Sequence, residues 1–598
     1  MGFSVPKHIL PGAAVLQAVV AVTILQEASF RWYFLCALLG NVTCYAVYSI
    51  AIYPRWVSPF RHLPKPRRNN PLLGHTLAEF SMPRGNEYLH FTNETHNTGI
   101  LHLQGLLGSD QLLLTSTAAL HEALVQRAYD FEWPEGDRDF LRRILGSGLI
   151  TARGEAHRAQ RRHMAQGLGR GFVRGLYPVF WEYSRALVRG IVRELQAAKK
   201  PAASTPISGE TDISNWAQRV SLDIIGQAGL GWDINTLTNP ENELASNFER
   251  IFAPTLANVV LFGVSVYGPA WALDYLPAGI SGGFLGATGK VREVCRAFIR
   301  SKRKSSAVGD EASASPSASQ ENILSQIMKQ EGVSEDSLVD QTLTFLTAGH
   351  ETVAIALTWA VYLLAKHPET QRQLRAELQR ALPLPSSPAD LSNSSSSTNS
   401  NAPETWGTLP SALESLPLLN GVINETFRLY PSAPVAVRVS VRDTSILGTR
   451  VPKGTRVIIA PWSVNRSVDI WGPGAESFVP ERWIEGHSHS HSGSAAGTGT
   501  GTGPGTGEVD VTGGTTGTTT TGPATKSPLL TFLHGPRNCI GQGFARAELL
   551  ALVAVFVRAF EVSLVSPDDV KVPGGSLSAK PAGGMRVRVT VVDGAVLG

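Results

Sequence analysis

The chain of 598 residues carries 53 Lys and Arg against 49 Asp and Glu, a formal net charge of +4. So small a surplus, with no basic stripe interleaved with aromatic residues, gives no footing for nucleic-acid binding, and no such partner is expected. Four cysteines in this length exclude a disulfide framework, so each needs its own explanation.

At the N-terminus, residues 9–25 and 33–53 carry no charged side chain. The second stretch, 21 residues, meets the roughly 20 needed to cross a bilayer and is expected to be a transmembrane helix. The first is shorter and holds Pro11 and Gly12, so it reads as a second span or an interfacial segment. A cleaved signal peptide competes for it, but the stop-transfer-like helix that follows argues for retention. Arg55, Arg61, Lys65, Arg67 and Arg68 precede the next acid, Glu79, and this excess should stay cytosolic. Residues 54–75, with Pro64, Pro66 and Pro71, read as a stiff, extended hinge between anchor and domain.

The remainder, 76–598, is read as one mainly helical domain with minor sheet. Helical apolar patterns dominate from Thr117 to Leu378, and strand-like alternation is confined to short runs such as PVAVRVSV, RVIIAP and MRVRVTVV. Segments near 304–320, 391–408 and 486–527 are poor in hydrophobic residues and are expected to be disordered insertions. The HSHSH run in the last could bind a metal, although a solvated low-complexity segment is the commoner meaning.

Three stretches of the domain invite a bland explanation when taken alone. The basic run TARGEAHRAQRRHM, with His157 and Arg161, reads as a solvated face. In TLTFLTAGHETVAIALTWAVYLLAKHPE, a long apolar helix, Ala348, Gly349 and Thr352 fall near one face. Tight packing would account for the small pair, and a hydroxyl bonded back to its own helix would account for the threonine. In INETFRLYPSAP, Glu425 and Arg428 are helix neighbours, by default a solvated ion pair of about 0.3–0.5 kcal/mol. Arg482 of FVPERW could turn that pair into a network.

The stretch TFLHGPRNCIGQGFARAE holds Cys539 just before a helical pattern. A helix N-terminus favours a thiolate and should lower the pKa of the sulfur. His534 is the local base for a nucleophilic cysteine, and no second ligand stands at zinc spacing, whereas haem iron accepts a single thiolate. Gly535 and Gly541 would let the backbone approach a flat macrocycle, Phe532 would cover the sulfur, and Arg537 would pair with a cofactor carboxylate.

The order Phe532, Gly535, Arg537, Cys539, Gly541 resembles the F-x-x-G-x-R-x-C-x-G signature of the cytochrome P450 superfamily. The resemblance implies a mainly α, minor β triangular catalytic domain behind an N-terminal anchor. It implies heme b (iron protoporphyrin IX), with Cys539 as axial thiolate and iron ligand. Ala348, Gly349 and Thr352 look like the oxygen-binding element, in which Thr352 would hydrogen-bond the bound dioxygen and Glu351 would pass protons inward. Glu425 and Arg428, with Phe478, Pro480, Arg482 and Trp483, look like a structural pair and its meander. Arg161, Arg438 and Arg537 would hold the propionates, with His157 standing where the family commonly has tryptophan.

The implied partners are NADPH-cytochrome P450 reductase, with cytochrome b5 as a further candidate donor, dioxygen, and a lipophilic small-molecule substrate. The implied location is the endoplasmic reticulum membrane with the catalytic domain facing the cytosol. The GFARAE continuation and the two-segment N-terminus look most like fungal microsomal members, many of which act in secondary metabolism. Two alternatives compete: a haem-thiolate isomerase or dehydratase that uses no dioxygen, and a non-catalytic haem-binding protein. Members of the first kind commonly lack the acid-alcohol pair that Glu351 and Thr352 would form. Substrate is expected to meet 133–149, 248–285, 433–437 and the turn near Gly575.

Overall fold

The computed structural model describes residues 17, 30–67, 70–198, 207–253, 255–268, 275–308, 322–329, 333–382, 407–484, 528–566, 571, 573–574 and 578–592. Most of 9–25 and all of 486–527 therefore lie outside the described residues, as do 309–320 and 391–406.

Helix α1 spans Phe30–Val47 and runs on through a wider helical turn, Tyr48–Val57. Phe34–Val57 is apolar and long enough to cross a membrane, and only 6% of its most apolar window is buried against protein. That exposure is what a lipid-facing helix requires. The helix outlasts its expected end at 53, because the tyrosine there is anchored to the domain. Tyr53 donates its hydroxyl hydrogen to Asp110 (2.8 Å), as Ser58 does to the other oxygen (2.9 Å). Of the first apolar segment Gln17 is described, and Asn41 Nδ2 donates to its side chain (2.9 Å). Nor do residues 54–75 form a free spacer. Phe60 is fully buried, and the His102 amide donates to Pro64 O (2.9 Å), so the chain at Pro64 lies along the edge of a sheet.

That sheet has strands β1 (Ile100–Gln104), β2 (Asp110–Leu114), β3 (Phe131–Glu132), β5 (Ala436–Ser440) and β8 (Arg456–Ile459), in the order β1-β2-β8-β5-β3. A second sheet joins β4 (Ser208–Asp212), β10 (Arg586–Val591) and β9 (Phe560–Leu564), and β6 (Thr444–Ile446) pairs with β7 (Thr449–Val451). Sheet thus extends beyond the expected runs. β1 and β2, ILHLQ and DQLLL, are buried on both faces, so they lack the alternation that betrays a strand.

The helices that position the site are α2 (Glu135–Leu145), α3 (Gly154–Gln166), α4 (Tyr177–Ala198), α5 (Ile213–Ile224), α6 (Glu243–Phe252), α7 (Leu256–Tyr267), α8 (Ala278–Val308), α9 (Glu335–Lys366), α10 (Pro417–Leu429) and α11 (Gln542–Ala559). α8 carries Lys304–Val308 within its last turns, where disorder was expected: Lys and Ser at the end of a long helix give the same composition as a solvated segment. α9 is apolar enough to cross a membrane, but 83% of its most apolar window is buried inside the protein. It is the core helix against which α5, α8 and α11 pack.

A buried polar network ties α7 to the first sheet. Arg456 donates to both oxygens of Glu79 (2.9 and 3.1 Å) and faces Asp137 at 3.5 Å, while Tyr267 donates its hydroxyl hydrogen to Glu79. Burial pushes the Asp137 carboxyl up to about 6 despite Arg456.

Candidate active site

The cysteine loop is fixed before any ligand is considered. The Cys539 amide donates to Phe532 O (2.8 Å), and the Phe532 ring meets Phe427 of α10 edge-on at 4.9 Å. Thr531 donates to Phe427 O (2.6 Å), and Asn465 reaches the loop twice, through Leu530 N and Thr531 Oγ1 (both 2.9 Å). Gly535 has φ of +73°, and a Cβ there would lie 2.1 Å from Leu124 O. The glycine therefore serves a tight turn against neighbouring backbone, a different task from the macrocycle approach expected of it. Gly541 differs: a Cβ there would meet only Cys539 Sγ, at an unstrained 4.0 Å.

Cys539 precedes the helix instead of opening it, since α11 begins at Gln542 with Gly541 as its N-cap. The expected lowering of its pKa is overturned. Burial pushes the thiol up, against the smaller opposing pull of the Gly541 N–H and the Arg161 guanidinium. The residue keeps accessible surface although it is densely surrounded by protein. His534, the local base, shows no coupling to Cys539; its pKa is lowered by burial and by His121.

Cations gather around this loop from three elements. Arg161 of α3 donates to Asn538 O (2.7 Å) and to the Asn538 side chain. Arg438 of β5 is buried, donates to Val437 O (2.9 Å) and lies 4.5 Å from the Trp133 ring centre. Arg537 pairs with buried Glu132 of β3, which also accepts from Gly154 N (3.1 Å), and packs over Tyr129 at 5.0 Å. Arg438 and Arg537 line one narrow cleft with Phe131 and Val457. Burial and then the Arg537 charge hold the Arg438 guanidinium down to about 10.

His157 is buried beside them, 3.4 Å from the Tyr129 hydroxyl. Desolvation, followed by Arg537, Arg161 and Arg438, pushes it down to about 4, so its imidazole is neutral at physiological pH. Glu132 pairs with Arg537, Arg438 lies in the field of both Glu132 and Asp137, and Arg537 Nε and Glu132 Oε2 have no hydrogen-bond partner among the described residues.

α9 supplies the other wall. Thr352 is exposed in the protein alone, and its hydroxyl bonds back to Ala348 O (2.7 Å). Ala348 is half-buried, while Gly349 is demanded by packing, since a Cβ there would lie 2.8 Å from Ile225. Glu351 is buried and accepts a hydrogen bond from Ser578 Oγ (3.0 Å). Burial pushes its carboxyl up to about 7, against the opposing effects of Lys580 and Ser578.

Behind the loop, Glu425 and Arg428 form a fully buried ion pair (2.7 and 2.8 Å). Glu425 also accepts from Val479 N (3.0 Å), Trp483 Nε1 (2.9 Å) and Arg482 (3.4 Å). Arg428 completes its donors on the carbonyls of Asn465 (2.7 Å), Ser477 (2.9 Å) and Ala475.

A family model described as Cytochrome P450 matches residues 64–585, from the docked hinge to the edge of β10. The chain belongs to the cytochrome P450 family. Among its relatives, the cytochrome P450 monooxygenase sphH of Aspergillus fumigatus is 36% identical over 566 residues, 94% of each chain. The cytochrome P450 monooxygenase ptmK of Penicillium ochrochloron is 33% identical, covering 91% of this chain and 96% of its own. The cytochrome P450 monooxygenase ALT8 of Alternaria alternata is 33% identical, with 98% and 99% covered. The protein is accordingly an oxidoreductase of the monooxygenase class, with the mainly helical cytochrome P450 fold and an apolar N-terminal helix suited to anchoring.

The family implies a haem-thiolate centre, and the residues present fit one. A dianionic group in the cleft would meet the surplus of buried cations and the orphaned Arg537 Nε. Sequence reasoning passed over Glu132, Asn538, Tyr129, Ser432 and Ser578, which orient the predicted residues. Only Asn538 carried a local signal, being the polar residue next to Cys539.

Proposed function

We propose that this cytochrome P450 binds heme b through Cys539 and oxidises a lipophilic small molecule while anchored in the endoplasmic reticulum membrane, its catalytic domain facing the cytosol. Electrons would come from NADPH through NADPH-cytochrome P450 reductase, with cytochrome b5 as a second donor. The similarity to fungal monooxygenases favours a role in secondary metabolism.

The carrying observation is that Arg161, Arg438 and Arg537 all act on buried His157, with Arg438 and Arg537 lining one cleft and Arg161 bonded to Asn538, the neighbour of Cys539. Haem bound there supplies dioxygen activation and insertion of one oxygen atom into the substrate. The protein's part is positional and electrostatic. Cys539 would hold the iron as a thiolate, and the Gly541 N–H and the Arg161 guanidinium would stabilise the sulfur charge that burial otherwise disfavours. Arg438 and Arg537 would neutralise the propionates, and neutral His157 would add a hydrogen bond and no charge. Glu351, with a pKa of about 7, can hold a proton and release it at neutral pH, and Thr352 presents its hydroxyl one residue further on the same helix. This acid-alcohol pair favours the monooxygenase over the dioxygen-independent isomerase or dehydratase.

Microsomes containing the protein and its reductase should consume NADPH in the presence of a binding metabolite, detected first by a shift of the Soret band, and release an oxygenated product. Product formation without dioxygen would refute the proposal.

A further inference from the structure

The C-terminal loop Ser578–Lys580 is bound to α9 more firmly than its lack of regular structure suggests. Trp359 Nε1 of α9 donates to Ala579 O (2.7 Å), and the Ala579 amide donates to Ser432 O (3.0 Å). Ser432 in turn gives its hydroxyl hydrogen to Thr352 O (2.8 Å). This closed brace presents the two residues flanking Ala579 to the acid beside Thr352. Ser578 Oγ lies 3.0 Å from Glu351 Oε1, and Lys580 is near enough for its charge to act on both Glu351 and His350.

We propose that Ser578 and Lys580 are positioning residues that set the protonation of Glu351, and that the C-terminal loop thereby controls proton delivery to the site. The proposal rests on the monooxygenase reading above. Among the described residues, the charged group that acts on buried Glu351 is Lys580 from the loop, and it acts also on His350, the preceding residue of α9. His350 is buried, its Nδ1 without a hydrogen-bond partner among the described residues and its ring 5.2 Å from Phe248 of α6, and burial and Lys580 hold it down to about 3. It therefore stays neutral and supplies neither proton nor charge. When the Glu351 acid passes its proton toward Thr352, the carboxylate is held by the Ser578 O–H and favoured by the Lys580 charge until a solvent proton replaces the one lost. No electron moves, and no bond other than O–H is made or broken.

Removing either support disfavours the carboxylate, so the Glu351 titration should move upward. The probe is the infrared band of the protonated carboxyl in the resting holoenzyme, assigned by its loss in Glu351→Gln and followed across neutral pH. Lys580→Ala should raise the midpoint by about one pH unit, a roughly tenfold change in the acid-to-carboxylate ratio. Ser578→Ala should raise it in the same direction, and Lys580→Arg should restore it. In turnover, the two alanine variants should yield less product per NADPH, release more peroxide and show a larger solvent isotope effect. An unchanged midpoint in both alanine variants would overturn the proposal, as would a shifted midpoint with unchanged coupling. Absence of a haem-thiolate spectrum would instead refute the underlying functional reading, because the carboxyl titration is measured independently of turnover.

Discussion

Two buried charged regions lie on either side of the cysteine loop, and they are built on opposite principles. Around Glu425 and Arg428 the acid accepts hydrogen bonds from two arginines, a tryptophan and a backbone amide, and the arginine spends its donors on that acid and three carbonyls. Around Arg161, Arg438 and Arg537, Glu132 pairs with Arg537, His157 is kept neutral, and Arg537 Nε has no hydrogen-bond partner among the described residues. A closed network rigidifies the chain that contains it; a buried surplus of one sign binds something of the other. Residue type alone would not separate the two, since both are arginine-rich.

Substitutions can break this contrast in order of expected effect. Arg428→Ala leaves Glu425 buried without its main partner and should cost about 3–5 kcal/mol, a large part of a typical margin of about 5–15 kcal/mol. Urea unfolding and the yield of folded protein would show it. Arg438→Met, which keeps most of the apolar stem, should act with the opposite sign on the haem-free chain, leaving it at least as stable because an undercompensated buried charge is removed. In the same variant haem should leave roughly ten- to a hundredfold faster, corresponding to a charge-assisted hydrogen bond of about 1.5–3 kcal/mol, measured by transfer to an acceptor globin. Destabilisation of both forms would place Arg438 with the closed network.

His157 gives the next effect. Its folded pKa of about 4 lies below the usual histidine value of 6.5, so between the two the unfolded chain binds more protons and stability falls as pH drops. Relative to His157→Trp, the native protein should lose on the order of 1 kcal/mol near pH 5, after allowance for solvent screening. Parallel thermal-unfolding curves against pH would contradict this. Thr352→Ala should have the smallest effect on stability, within about 1 kcal/mol, because its hydroxyl bonds only within its own helix. Its effect should fall on coupling, seen as peroxide in place of product.

How far the sequence revealed these regions follows from their physics. The cysteine loop, α9 and the Glu425–Arg428 pair were legible because motif spacing and helical periodicity are local. The β1–β2 pair was hidden, since strands buried on both faces show no alternation. The docking of the hinge was not legible, because proline content reports stiffness but not what the segment packs against, here Asp110 and His102. The thiol shift was misjudged in sign because a helix terminus can be inferred from sequence while depth of burial cannot. Glu132 and Ser578, distant in sequence from the residues they orient, required the fold.

The central claim is that Cys539 ligates haem iron as a thiolate. The most direct measurement is the carbon-monoxide difference spectrum of the reduced, folded, haem-loaded protein, compared with Cys539→His. The native protein should show the strongly red-shifted Soret band of a thiolate-ligated ferrous carbonyl, and the variant should not. Absence of that band from the native protein, or its persistence in the variant, would contradict the account.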